Sequence, residues 1–183
     1  MLTLVSGGSA SGKSEFAESL VLNSGCDDRF YLATMIPFDE ECHNRIARHR
    51  KMRAAKGFST IETPIDLNRV AFPQPKQEGI HRIALLECMS NLVANEIFSP
   101  DSSACKNAAL CEEKIMEGIK LLCSQCEQVV IVTNELFSDG ISYDPETNQY
   151  LQVLGKINQR IAAMADRVYE VCVGIPICWK GEQ

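Results

Sequence analysis

The stretch Gly7-Gly8-Ser9-Ala10-Ser11-Gly12-Lys13-Ser14 fits the phosphate-binding loop pattern G-x-x-x-x-G-K-[ST]. It constrains the fold because it works only between a strand and a helix. Leu2-Thr3-Leu4-Val5-Ser6 before it is a short apolar, β-branched run that reads as a buried strand. After it, Phe16, Ala17, Leu20 and Val21 recur at helical spacing. Glycines let the backbone curl until several N–H groups converge on one anion, and the helix N-terminus adds partial positive charge. Lys13 can then reach the β- and γ-phosphates, and the Ser14 hydroxyl can ligate Mg2+. The rest of the chain is therefore read as what surrounds a nucleoside triphosphate.

Downstream, strand and helix patterns alternate. Arg29–Thr34, Phe58–Glu62, Arg82–Glu87, Val129–Thr133 and Arg167–Val173 read as strands. The expected helices are Glu40 to Lys56 with Asp39 as N-cap and Gly57 as C′, a short one from Asp66, Asn91–Phe98, Ala108–Cys126 and Gln149–Ala165. Asp139 to Asn148, with Pro145, reads as a polar loop and a candidate lid. Gly174 and Pro176 interrupt the last strand, and a short edge strand ends near Trp179. This order predicts one α/β domain over residues 1–183, with a doubly wound, mainly parallel sheet.

Two acids and one cluster of cations stand out. Glu87 closes an apolar strand, where a P-loop protein places its second acid to hold Mg2+ or its water. Asn134-Glu135 follows another strand at the end where open α/β sheets bind ligands. Arg45, His49, Arg53 and Lys56 share one helical face, and Arg48, Arg50 and Lys51 add charge. This run is either a solvated face or an anion-handling surface. Within it His49 is the titratable nucleophile, and flanking arginines would keep its imidazole neutral.

Composition removes other classes. A net charge of −6 argues against a general nucleic-acid binder. No apolar run approaches the roughly 18 residues of a membrane span. With strand and P-loop at the N-terminus, no signal peptide is expected. The 9 cysteines are an odd count without a zinc-type second pair, and Cys111 and Cys126 lie on an apolar helical stripe. They read as small core residues, and reduced thiols point to the cytoplasm.

Several segments together resemble the bifunctional adenosylcobinamide kinase/adenosylcobinamide-phosphate guanylyltransferase family. They are the P-loop, Tyr31-Leu32-Ala33-Thr34, Arg45-Ile46-x-x-His49-x-x-x-Arg53, Leu85-Leu86-Glu87-Cys88, Val132-Thr133-Asn134-Glu135, and Asn158-Gln159-Arg160-Ile161-Ala162-Ala163-x-Ala165-Asp166. The resemblance implies a RecA-like P-loop NTPase fold and a homotrimer. It implies phosphorylation of adenosylcobinamide with ATP or GTP, then GMP transfer from GTP through a guanylylated histidine at His49. It also implies nucleotide contacts at Gly7 to Ser14, at Thr34, Met35 and Ile36, at Arg50, Lys51, Met52 and Arg53, and at Glu62 and Glu87. A carboxylate such as Glu62 could accept hydrogen bonds from guanine N1–H and its 2-amino group. Two departures are visible. Many members carry Arg where this chain has Ala10, and the usual Gly-x-Gly-Ile-Val-Pro after Glu135 is replaced by Leu136 to Pro145. A P-loop kinase without guanylyl transfer and a non-catalytic GTP-binding module are the alternative expectations.

Overall fold

The computed structural model describes residues 1–36, 51, 53–74, 79–99, 107–137, 140 and 143–181. Seven strands form one sheet in the order β3-β2-β4-β5-β1-β6-β7. They are β1 Leu2–Gly7, β2 Asp28–Ala33, β3 Phe58–Glu62, β4 Arg82–Glu87, β5 Gln128–Asn134, β6 Arg167–Cys172 and β7 Ile175–Lys180. Every pairing is parallel except β6 with β7. The helices are α1 Lys13–Leu22, α2 Met89–Phe98, α3 Ala108–Gln125 and α4 Pro145–Met164, with a 3-10 turn at Leu67–Arg69. Residues 51 and 53–55 are also helical.

Side-chain alternation divides the core between the two faces of the sheet. Val5, Tyr31, Ile83, Leu85, Val130, Val132 and Val171 pack with Ala17 and Val21 of α1. Leu2, Leu4, Leu32, Ala84, Leu86, Val129 and Ile131 pack with α2, α3 and α4. Strands buried on both faces need continuous apolar sequence, which is what β4 and β5 carry. Cys111 and Cys126 are buried thiols, as their place on the apolar stripe of α3 predicts. Among the described residues no helix is long and apolar enough to cross a membrane.

Strands β3 and β4 match the expected bounds residue for residue. Gly57 has φ 80°, the left-handed conformation expected of a helix C′, and its N–H donates to the Ala54 carbonyl at 3.0 Å. Asp39 and most of the expected Glu40–Lys56 helix lie outside the described residues.

Two expectations are corrected. Pro176 interrupts no strand but lies within β7, opposite Val171. Pro145 does not belong to a loop. It is the first residue of α4, where a missing N–H costs nothing and a fixed φ suits the helix. The Asp144 carboxylate accepts from the N–H groups of Glu146 at 2.9 Å and Thr147 at 3.0 Å. The helix therefore starts four residues earlier than its apolar periodicity indicates, and residues 139, 141 and 142 of the expected loop lie outside the described residues.

Asp144→Ala should remove this cap at a cost of about 1 kcal/mol. Thermal denaturation should then show a Tm lower by roughly 2–4 °C, with the far-UV spectrum at low temperature unchanged.

Candidate active site

The P-loop leaves β1 at the carboxyl end of the sheet, where β1 lies between β5 and β6. Both neighbours hold it. The Glu135 N–H after β5 donates to the Gly7 carbonyl at 3.0 Å, and the Gly174 N–H after β6 donates to Ser11 at 2.8 Å. Gly7 leaves no room for a side chain, since a Cβ there would lie 2.6 Å from both Ser11 Oγ and the Val171 carbonyl oxygen. Ala10 at φ 54° and Gly12 at φ 91° are left-handed points in the loop, which turn successive N–H groups inward. Ser9 and Ala10 are exposed at its tip.

Gly12 caps α1 without a side chain. The helix N-terminus is thus open to an anion rather than blocked by its own oxygen. Lys13 is buried, and its ammonium donates to the Gly8 carbonyl at 3.0 Å. Ser11 Oγ is buried and finds no hydrogen-bond partner among the described residues. A loop with a folded-back lysine and an unpaired hydroxyl suits a phosphate, which would satisfy both.

The second acid is in place. Ser14 Oγ donates to Glu87 Oε1 at 2.5 Å, although β5 separates β1 from β4. Glu87 belongs to the sheet face covered by α1, in step with Ile83 and Leu85. Next to it, burial pushes the Cys88 thiol above its ordinary range, so this cysteine is a neutral group and not a thiolate nucleophile.

Glu62 ends β3 in register with Ala33, and Ala33 is in register with Glu87. Glu62 is exposed at the same carboxyl edge, beside a cleft of about 230 Å³ lined by Ile61 to Asp66 and Arg69 to Ala71. Met35 is exposed and Ile36 half-buried. Thr34 is fully buried, and its hydroxyl both donates to the Cys88 carbonyl at 2.9 Å and accepts from the Cys88 N–H at 2.7 Å. Thr34 thus supports the strand ends beneath the site.

Of the basic cluster, Lys51 is exposed and Arg53 is buried. His49, Arg50 and Met52 lie outside the described residues. Lys56 pairs with Glu18 of α1, which puts the end of this helix on the P-loop face. Glu135 contributes its N–H to the P-loop base, and Asn134 donates to Ser90 Oγ at 2.7 Å.

Two residues given no role from the sequence stand at this edge. Tyr31 lies under the Arg53 guanidinium, with its carbon 3.5 Å from the ring centroid. The Asn95 side-chain amide donates to the carbonyls of Thr34 at 2.7 Å and Pro64 at 2.9 Å, clamping the segments that follow β2 and β3. Tyr31 was findable in principle. Its period-2 position in β2 is the one that, in a parallel sheet, shares a face with Glu87. Asn95 carries no comparable signal in a helix of ordinary composition.

Comparison with known proteins agrees with this geometry. The family model for cobinamide kinase/cobinamide phosphate guanyltransferase matches residues 3–179. The chain belongs to that family. It is similar to the bifunctional adenosylcobalamin biosynthesis protein CobU of Salmonella typhimurium strain LT2, at 32% identity over 97% of this chain and 98% of that one. It is also similar to the bifunctional adenosylcobalamin biosynthesis protein CobP of Pseudomonas aeruginosa PAO1, at 29% identity over 100% and 99%. Among solved structures, the flagellar accessory protein FlaH of Methanocaldococcus jannaschii shares the fold at a TM-score of 0.53 and 12% identity, over 99% of this chain and 78% of that one.

Asn95→Ala should leave two carbonyls without their donor, at about 1–3 kcal/mol. The expected result is a Tm several degrees lower together with weaker GTP binding, measured by calorimetry. An unchanged affinity would show that the clamp does not shape the site.

Proposed function

We propose that the chain phosphorylates the aminopropanol hydroxyl of adenosylcobinamide with ATP or GTP and then attaches GMP from GTP to the new phosphate through His49. The observation that carries this reading is the Ser14–Glu87 pair beside a P-loop, in a chain matching the family from residue 3 to residue 179.

In the first reaction the substrate hydroxyl oxygen attacks the γ-phosphorus, the bond to the β–γ bridging oxygen breaks, and a nucleoside diphosphate leaves. Little covalent chemistry falls to the protein, so its work is positioning and charge stabilisation. The P-loop N–H groups hold the phosphates, and Lys13 exchanges the Gly8 carbonyl for their oxygens. Ser14 and Glu87 would hold Mg2+. They are hard oxygen donors side by side, and Mg2+ is commonly bound by one or two carboxylates together with substrate phosphates. Bound there, it offsets phosphate charge.

In the second reaction a neutral imidazole nitrogen of His49 attacks the α-phosphorus of GTP and pyrophosphate leaves. An oxygen of the cobinamide phosphate then attacks the same phosphorus and the P–N bond breaks, freeing the histidine. Arg50, Lys51 and Arg53 supply positive charge for the phosphoryl oxygens, with Met52 between them, and Met35 and Ile36 line the nucleotide. Glu62 offers two acceptors to the guanine edge, where adenine has nothing to donate in the same way.

A homotrimer is part of the proposal. Ile175, Ile177 and Trp179 share one face of the edge strand β7 and are 62%, 41% and 68% exposed. A second copy of the chain would cover such a stripe, and light scattering on the purified protein tests this.

Three outcomes test the chemistry. Lys13→Ala should lower both reactions by on the order of 10² to 10⁴, read in steady-state assays of each step. Incubation with GTP and Mg2+, without corrinoid, should leave one GMP on the protein as an acid-labile, alkali-stable phosphoramidate. His49→Asn should abolish that adduct and guanylyl transfer while much of the kinase step survives. An adduct persisting in His49→Asn would place the nucleophile elsewhere, and no adduct in the native protein would favour a kinase alone. Finally, Glu62→Gln should weaken GTP relative to ATP by about 1–3 kcal/mol, whereas equal losses would give Glu62 a role other than base reading.

A further inference from the structure

Tyr31 lies between the two charged parts of the site. It is buried near the end of β2, on the sheet face that α1 covers. On one side its ring carries the Arg53 guanidinium at 3.5 Å, and both residues are more than nine-tenths buried. On the other side Glu87, a diagonal neighbour on the adjacent strand β4, shares this sheet face, and its carboxylate takes the Ser14 hydroxyl at 2.5 Å. Neighbouring groups therefore lead from the P-loop through Ser14, Glu87 and Tyr31 to Arg53.

Each contact has a separate physical basis. A guanidinium over a desolvated aromatic face is attracted by the ring quadrupole. A phenol O–H donated to a carboxylate is a charge-assisted bond, and it fixes which way the carboxylate oxygens point. Arg53 Nε is buried and finds no acceptor among the described residues. An unpaired N–H on a buried cation suits an arriving anion, because the desolvation has already been met in the empty protein.

We infer that Tyr31 is a positioning residue that couples the P-loop to the basic helix: its hydroxyl holds Glu87 when Ser14 turns toward a nucleotide-bound cation, and its ring seats Arg53 for the same nucleotide. Ser14 cannot serve Glu87 and a cation equally well. Once it turns away, Tyr31 is the neighbouring donor left to the carboxylate. The ring and the hydroxyl thus act on different ligand groups, which makes the two roles separable.

The inference rests on the P-loop being the nucleotide site, and the test separates the two. Binding of GDP is measured by calorimetry with and without Mg2+, for the native chain, Tyr31→Phe, Tyr31→Leu, Arg53→Ala and the Tyr31→Leu/Arg53→Ala double variant. Tyr31→Phe keeps the ring and the packing. It should weaken Mg·GDP by about 10-fold and leave metal-free GDP nearly unchanged. Tyr31→Leu and Arg53→Ala should each weaken GDP by about 10- to 30-fold. The double variant should be no worse than the weaker single one, because both remove the same seat. Should Tyr31→Leu fail to fold, Tyr31→Phe and its metal dependence still decide the hydroxyl's role. Equal weakening of Mg·GDP and metal-free GDP in Tyr31→Phe, or losses that multiply in the double variant, would overturn the coupling. A native chain that does not bind Mg·GDP would overturn the P-loop reading itself, and the coupling with it.

Discussion

Right-handed crossover is the constraint on which the arrangement depends. A strand–helix–strand connection in a parallel sheet takes one hand almost without exception. Connections running one way across the sheet therefore place their helices on one face, and those running back place them on the other. From β1 the chain runs to β2 and then β3 in one direction, and from β3 it returns through β4 and β5 to β6. The first leg puts α1 and the helix that ends at residue 55 on one face. The return leg puts α2, α3 and α4 on the other. The Lys56–Glu18 pair and the Arg53–Tyr31 stack are the local signs of that shared face. The placement of Arg53 and Lys56 on the P-loop face thus follows from chain direction.

Parallel pairing then sets the acids. Glu62, Ala33, Glu87 and Val132 lie across four strands in continuous register, and Gly7 is level with Asn134. Neighbouring strands are about 4.8 Å apart. Glu62 and Glu87, two strands apart, are thus separated by roughly twice that. Glu87 is within reach of Ser14, and Glu62 stands beside an open cleft. One edge of one sheet thus gives two carboxylates unlike surroundings through position alone.

Much of this was legible in the sequence, because the signals were local. Phe58–Glu62 and Arg82–Glu87 are short runs bounded by Gly57, Pro64 and the polar loop before Ile80, so their ends coincide with the strands. The P-loop carries its own context. Pro145 was misleading because proline breaks a helix interior yet suits a first turn, and only the Asp144 cap distinguishes the two. Pro176 was read as an interruption but sits within β7 opposite Val171. A sheet edge tolerates a residue that cannot donate, as a central strand would not. Tyr31 and Asn95 act through partners about 20 and 30 residues away in sequence, Arg53 and Pro64. No window along the chain contains those pairs.

The two sides of the site are secured very unequally, and this bears on what each can do. On the Glu62 side, Glu96 is fully buried, accepts from the Asp66 N–H at 2.8 Å and pairs with Lys114 at 2.8 Å. Lys114 also pairs with Asp66 at 2.5 Å, and Asn95 ties Pro64 to Thr34. Breaking one partner of such a buried network leaves an uncompensated charge, at about 3–5 kcal/mol. The helix end bearing Arg53 is held to the body by the ring of Tyr31 and by the Lys56–Glu18 pair, whose lysine is 43% exposed. Exposed pairs contribute little. The Glu62 edge is accordingly secured by buried ion pairs and hydrogen bonds. Among the described residues Arg53 rests on one aromatic ring, and that ring shares a sheet face with Glu87, the acid that takes the Ser14 hydroxyl.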